Sequence, residues 1–314
     1  MDIKLKLLYI VIDLFCPLMV GYLCRYQHRF GEPFFRSMIK FNIYFFYTLL
    51  AILSFWTVEL SPELVWMPVF GVVIAVIPGI AAYAWSAGAY QDPLEKGSYL
   101  IASILSNIGT LGGLCAYILF GEAGFSYIQL ALLSQNFILF LFCFPLAQYY
   151  HQQSLCGGHY TIPSLTVFLN RNQLPVLGLI VGIGLHYSGI PRPEFGNWLM
   201  DPLIHFAAWT ALLPVGYSIE VTEMRQYYRR VLNLIPIKFV ITPVLTYLLG
   251  TLFFSDPTVL YTLLILASTP TAINAVVTAK IHNLNVNIAM AAFVLTTAIY
   301  IAIVVPGLFF WIAA

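Results

Sequence analysis

The sequence predicts an all-α polytopic membrane protein of about ten transmembrane helices. They form two inverted five-helix repeats, with broken helices four and nine crossing at mid-membrane. Three observations predict it: the composition, the spacing of the apolar segments, and two interrupted segments half a chain apart. The chain has 314 residues, 61% of them hydrophobic and 9% charged. A soluble domain carries about 25% charged residues, so too few charges are present to solvate a globular surface. That excludes a soluble enzyme, a nucleic-acid binder and a disordered regulator, and a net charge of +1 offers no field to gather polyanions. A bilayer crossing takes about 20 residues, which leaves room for roughly ten.

The apolar segments fall at 5–23, 40–58, 64–85, 98–120, 126–147, 174–190, 198–219, 234–253, 258–279 and 288–312. Each is long enough to span, the sixth being the shortest, and backbone pairing inside lipid makes them helices. No alternating pattern suggests a barrel. The first segment superficially resembles a secretory signal, but Asp13 within it and the lack of a small-residue cleavage site argue against that. The longest connection, 148–173, divides the chain into a first five-helix repeat at 1–147 and a second at 174–314. An odd number of helices per half makes the second half enter from the opposite side.

Orientation follows from the basic residues. One set of loops carries Arg25, Arg29, Arg36, Lys40, Lys96, Arg171, Arg225, Arg229, Arg230 and Lys280, and the other only Lys4, Lys6 and Arg192. Both termini are therefore expected to face away from the cytoplasm. Trp56, Trp66, Trp198 and Trp311 sit near the outer segment ends, as an interfacial belt would. Five cysteines in no framework spacing indicate neither a disulfide scaffold nor a redox pair.

The fourth segment contains Ser106-Asn107-Ile108-Gly109-Thr110-Leu111-Gly112-Gly113, too rich in glycine for a continuous helix. The ninth contains Ser268-Thr269-Pro270-Thr271-Ala272-Ile273-Asn274, where proline removes a helical hydrogen bond and hydroxyls offer others. Paired Gly/Pro interruptions at matching places in two halves point to a transporter's binding site. A broken helix exposes the amides that start its second half, and these favour an anion. The bland alternative is close packing at the glycines and a plain kink at the proline. The expected substrate-binding set is Asn107, Gly109, Gly112, Gly113, Pro270 and Asn274, with Gln135 and Asn136 of the fifth segment as neighbouring polar candidates.

Asp13 lies near the middle of the first segment and is the candidate for proton or cation coupling; its alternative is a structural bond between helices. Asp201 and His205 share a helix face and read as a solvated or structural contact. Lys238, one turn inside its segment, reads as a snorkelling lysine. No charged residue lies between Lys96 and Glu122 or after Lys280, so neither broken helix contributes a carboxylate. A divalent metal is therefore not expected at their crossing, and an anion would meet no repulsion. His151, Cys156 and His159 match no zinc spacing. The expected metal set is none and the cofactor set is none, with Na+ or H+ coupling left open.

Asn107 to Leu114 (NIGTLGGL) and Pro270 to Lys280 (PTAINAVVTAK) resemble the glycine-rich helix four and proline-led helix nine of the auxin efflux carrier family, the bacterial permeases related to plant auxin carriers. The five-plus-five layout extends the resemblance over nearly the whole chain. It implies a fold shared with bile-acid sodium symporters and a homodimerising scaffold of helices 1, 2, 6 and 7. It also implies a transport domain of helices 3–5 and 8–10 that moves as an elevator, in a bacterial inner membrane. Plant members carry proline at both crossovers; here Gly113 and Ala275 take those places, and the long hydrophilic loop of many plant carriers is missing.

The expected function is a secondary transporter of a small organic anion, a mono- or dicarboxylate. The alternatives are a sodium-coupled carrier of another amphipathic solute, a receptor or channel, and an intramembrane enzyme. The enzyme reading lacks a Gly-x-Gly-Asp or Gly-x-Ser-x-Gly inside a span, and no GxxxxGK[ST] loop supplies ATP hydrolysis. The expected partners are the anion and membrane lipid, with no nucleic acid.

Overall fold

The computed structural model describes residues 3–27, 30–59, 61–155, 174–219 and 226–313. The described residues form the helical runs α1 Ile3–Gln27, α2 Glu32–Thr57, α3 Pro62–Ala89, α4 Pro93–Ile104, α5 Ile108–Ser154 and α6 Leu174–Tyr187. There follow α7 Glu194–Tyr217, α8 Tyr228–Gly250, α9 Pro257–Ala267, α10 Ile273–Ile281 and α11 Val286–Ile312. Seven runs (α1, α2, α3, α5, α7, α8 and α11) are long and apolar enough to cross a membrane, while α6 and α9 are apolar but shorter. Large apolar side chains such as Phe15, Ile80, Leu248 and Phe310 are exposed on these helices, a surface that lipid rather than water suits. The chain is an integral, multi-pass membrane protein.

Two departures from the expected segments have local causes. The fifth segment does not stop at residue 147, because Gln148–Ser154 contains no glycine or proline and the helix runs on to Ser154. The connector therefore begins later than expected; Cys156, His159 and the rest of it up to residue 173 lie outside the described residues. The fourth and fifth segments are not separated by a loop. The 47-residue α5 instead turns at Gly121, whose φ of 65° and ψ of −148° suit a residue without a Cβ.

α4 and α9 start alike. Each opens on Asp-Pro: proline in the first turn needs no amide partner, and the aspartate caps the next free amide. Asp92 accepts from the Leu94 N–H at 3.0 Å and Asp256 from the Thr258 N–H at 2.8 Å. Both helices end at the interruptions read from the sequence, and the runs that follow, α5 and α10, begin with no side-chain cap.

α1 packs chiefly on α7, and α2 on α6. These seams are close because small residues line them. A Cβ at Gly21 would stand 2.1 Å from the Leu213 carbonyl oxygen, and one at Gly216 2.1 Å from that of Leu18. The other runs pack on one another, α3 on α4 and α5, and α11 on α4 and α10.

Candidate functional site

The two interruptions meet. Leaving a helix strands backbone groups that a non-aqueous interior must pair, and here each break pairs the other's. The Asn107 N–H donates to the Pro270 carbonyl at 2.8 Å, and the Ala272 N–H to the Leu105 carbonyl at 2.9 Å. Ser106 and Thr271 face each other as an isolated antiparallel bridge. The Thr271 hydroxyl reaches back to the Ala102 carbonyl at 2.9 Å, and its N–H donates to Thr296 Oγ1 of α11 at 3.1 Å. Two broken helices are thus locked at one crossing, with α4 and α9 ending there and α5 and α10 starting there.

Around the crossing the expected site residues take different parts. Asn107 is the N-cap residue of α5 and half-buried, while Asn274 is exposed in the first turn of α10. Their side chains make no hydrogen bond among the described residues; Asn107 joins the crossing through its backbone N–H. Gly109 and Thr110 line a narrow cleft of about 10 Å³, room for about one water, with Tyr47, Phe125, Ile204 and Ala208 on its other sides. The Tyr47 hydroxyl donates to Thr110 Oγ1 at 3.1 Å across it. Gly112 faces α9 instead: a Cβ there would come within 3.1 Å of Thr269 Cγ2, so this glycine sets the spacing of the crossing. Gly113 lies against the Phe125 ring. Pro270 is buried and contributes its carbonyl. Gln135 Nε2 donates to the Ser106 carbonyl at 2.7 Å and so satisfies the break itself. The Asn136 side chain lies outside the described residues.

Lys238 departs from its expected place. It does not snorkel: it is 1% exposed and points into the crossing, with Nζ donating to Ser106 Oγ at 2.8 Å and to the Leu105 carbonyl at 3.2 Å. The cause is local. Lys238 sits in a π-turn, Ile237–Ile241, directly after Pro236, and the extra residue of a π-turn rotates a side chain off its ordinary helical face. Both partners are neutral. A buried cation without a carboxylate is costly unless an anion joins it. The signal available in the sequence was the lysine's position inside an apolar segment; its direction was not.

Asp13 is 5% exposed and its carboxylate is fully engaged. Oδ1 accepts from Trp209 Nε1 at 2.9 Å, and Oδ2 hydrogen-bonds His205 Nδ1. His205 Nε2 lies 3.8 Å from Asp201 Oδ1, so the one-face pair of α7 continues into α1 as a chain of three. These contacts tie α1 to α7. At one end of the molecule Arg192 holds Glu122 with two hydrogen bonds, of 2.6 and 2.9 Å, joining the start of α7 to the turn at Gly121. No group of three or more His, Cys, Asp or Glu that could hold a metal occurs among the described residues.

No protein-family model matches the chain. It is similar to a protein of Rhizobium meliloti (strain 1021) named "Putative malonate transporter", 26% identical over 222 residues. That match covers 67% of this chain and 65% of the relative, so the chain spans just under two thirds of the protein it resembles. The relative is named as a transporter and not as an enzyme.

Proposed function

We infer that the protein is a secondary transporter that binds a small carboxylate where its two broken segments cross. The observation that carries this is the charge pattern of the crossing: two uncapped helix starts and a buried ammonium, with no carboxylate between Lys96 and Glu122 or after Lys280. Helix starts offer free amides and the positive end of the dipole to an anion. A narrow cleft beside Gly109 and Thr110 opens at one of those starts, and a solute would have to widen it. The similarity to a protein named for malonate supports a dicarboxylate as the first compound to try.

The topology reading goes with this. Joining α4 to the first part of α5 as far as Phe120, and α9 to α10, gives ten crossings. The two Asp-Pro starts, at Asp92 and Asp256, then occupy equivalent places in two inverted halves. Alternating access would carry the crossing, with α3–α5 and α8–α11, past a scaffold of α1, α2, α6 and α7 that pairs with a second copy.

Counterflow tests the reading. Purified protein in liposomes preloaded with unlabelled malonate should accumulate external labelled malonate, and succinate or pyruvate should compete. Gly109→Leu, which places a side chain into the cleft, should abolish the accumulation while the protein still elutes as a single species. Accumulation equal to that of protein-free liposomes for every small carboxylate, preloaded in turn, would overturn it.

A further inference from the structure

The ammonium of Lys238 is bonded as a metal cation would be. Its two partners are a backbone carbonyl and a hydroxyl, both belonging to the interruption after α4. Oxygen donors of this kind, freed by an unwound segment, are what a hard monovalent cation takes in a broken-helix carrier. The position also lies at the C-terminal end of α4, where the helix dipole favours positive charge. The Ser106 carbonyl next to it is already taken by Gln135, and the Leu105 carbonyl also receives the Ala272 N–H. Two of the three ammonium N–H groups are engaged at this break, and one is left for a solute.

We propose that the Lys238 ammonium is a built-in replacement for a coupling cation: it holds the cation position at the crossing and travels with it, so that the anion binds without sodium. This rests on the anion reading above for its physiological meaning, but the occupancy of the position can be read by itself. Removing the side chain back to Cβ should leave an oxygen-lined vacancy that sodium can enter. Replacing it by methionine, similar in length and apolar, should fill the vacancy and keep sodium out.

The experiment measures melting temperature of the detergent-purified full chain in sodium chloride and in choline chloride at equal ionic strength. Wild type should melt at the same temperature in both. Lys238→Ala should melt lower in choline and recover by several degrees in sodium, and Lys238→Met should not recover. Lys238→Ser, which keeps an oxygen near the position, should recover as the alanine variant does; either variant folding only in sodium supports the proposal equally. Sodium stabilisation of the wild type would overturn it, as would alanine and serine variants indifferent to the cation. A purely structural lysine predicts that last result, since lost packing is not restored by a choice of salt. Malonate added in choline chloride keeps the two readings apart. It should stabilise wild type and not Lys238→Met. If the sodium results are as stated and no small carboxylate stabilises wild type, the cation assignment stands and the anion reading falls.

Discussion

Two sets of helices in this molecule handle buried polarity differently. In α1, α2, α6 and α7 the buried polar groups are paired. Asp13 has His205 and Trp209, and Asn42 Nδ2 has the Ala207 carbonyl at 2.6 Å and Thr210 Oγ1 at 2.5 Å. In the other set many are paired too, as at Ser103, Thr262 and Thr271, but some are not. Among the described residues, the buried side-chain atoms without a hydrogen-bond partner are on Ser98 of α4, on Gln129, Gln148 and His151 of α5, on Asn233 and Thr246 of α8, on Thr297 of α11, and on His282 just beyond α10. Lys238, with neutral partners alone, belongs to the same set. A polar group kept from water costs about 1–3 kcal/mol when unpaired, so such groups accumulate where water or a solute enters. We read the first set as a closed seam and the second as the side open to water or solute, a division that follows the proposed boundary between scaffold and moving part.

The largest expected effect comes from forcing the closed seam apart. Gly216→Ala must displace the Leu18 carbonyl, since its Cβ would stand 2.1 Å from that oxygen. Overpacking of this kind should cost about 3 kcal/mol. Gly109→Ala, whose Cβ would sit 3.4 Å from Leu132, should change stability by less than about 0.5 kcal/mol. Denaturation of both variants in one detergent checks the contrast, and equal losses would break it.

Next comes the paired carboxylate. Asp13→Ala leaves the His205 and Trp209 donors without an acceptor and should cost about 2 kcal/mol, whereas Asp13→Asn, which keeps one acceptor, should lose about half of that. Neither should alter the thermal shift that malonate produces if Asp13 only ties α1 to α7. A malonate response that disappears in Asp13→Asn, with the fold intact, would instead give this residue the coupling role its position in an apolar segment suggests.

How much of this was legible beforehand depends on which residues carried the signal. The interruptions were legible because glycine and proline act on the backbone itself, whatever surrounds them. Equally local, and readable in retrospect, are the Asp-Pro starts at Asp92 and Asp256, which cap by side chain and ring geometry alone. The mutual pairing of Asn107 with Pro270 follows from both breaks lying in register. Directions of side chains were another matter. In helices apolar on every face, periodicity does not distinguish inside from outside. Lys238 and Asp13 could therefore be placed along their helices but not around them, and the π-turn at Ile237–Ile241 shifts the face again.

The smallest effect sharpens the comparison at its wet side. His282 lies between α10 and α11, its ring against Phe144 and its Nε2 unpartnered. Burial, and then the nearby His151, lower its pKa from the ordinary 6.5. A histidine whose folded pKa is depressed contributes stability that is present above its unfolded value and lost as pH falls through the folded one. The melting temperature should therefore be flat above about pH 6.5 and decline on acidification below it. His282→Gln, which cannot take up a proton, should reduce the decline. An acid-induced loss that persists in His282→Gln but vanishes in His205→Gln would reverse the assignment of which seam is open to water.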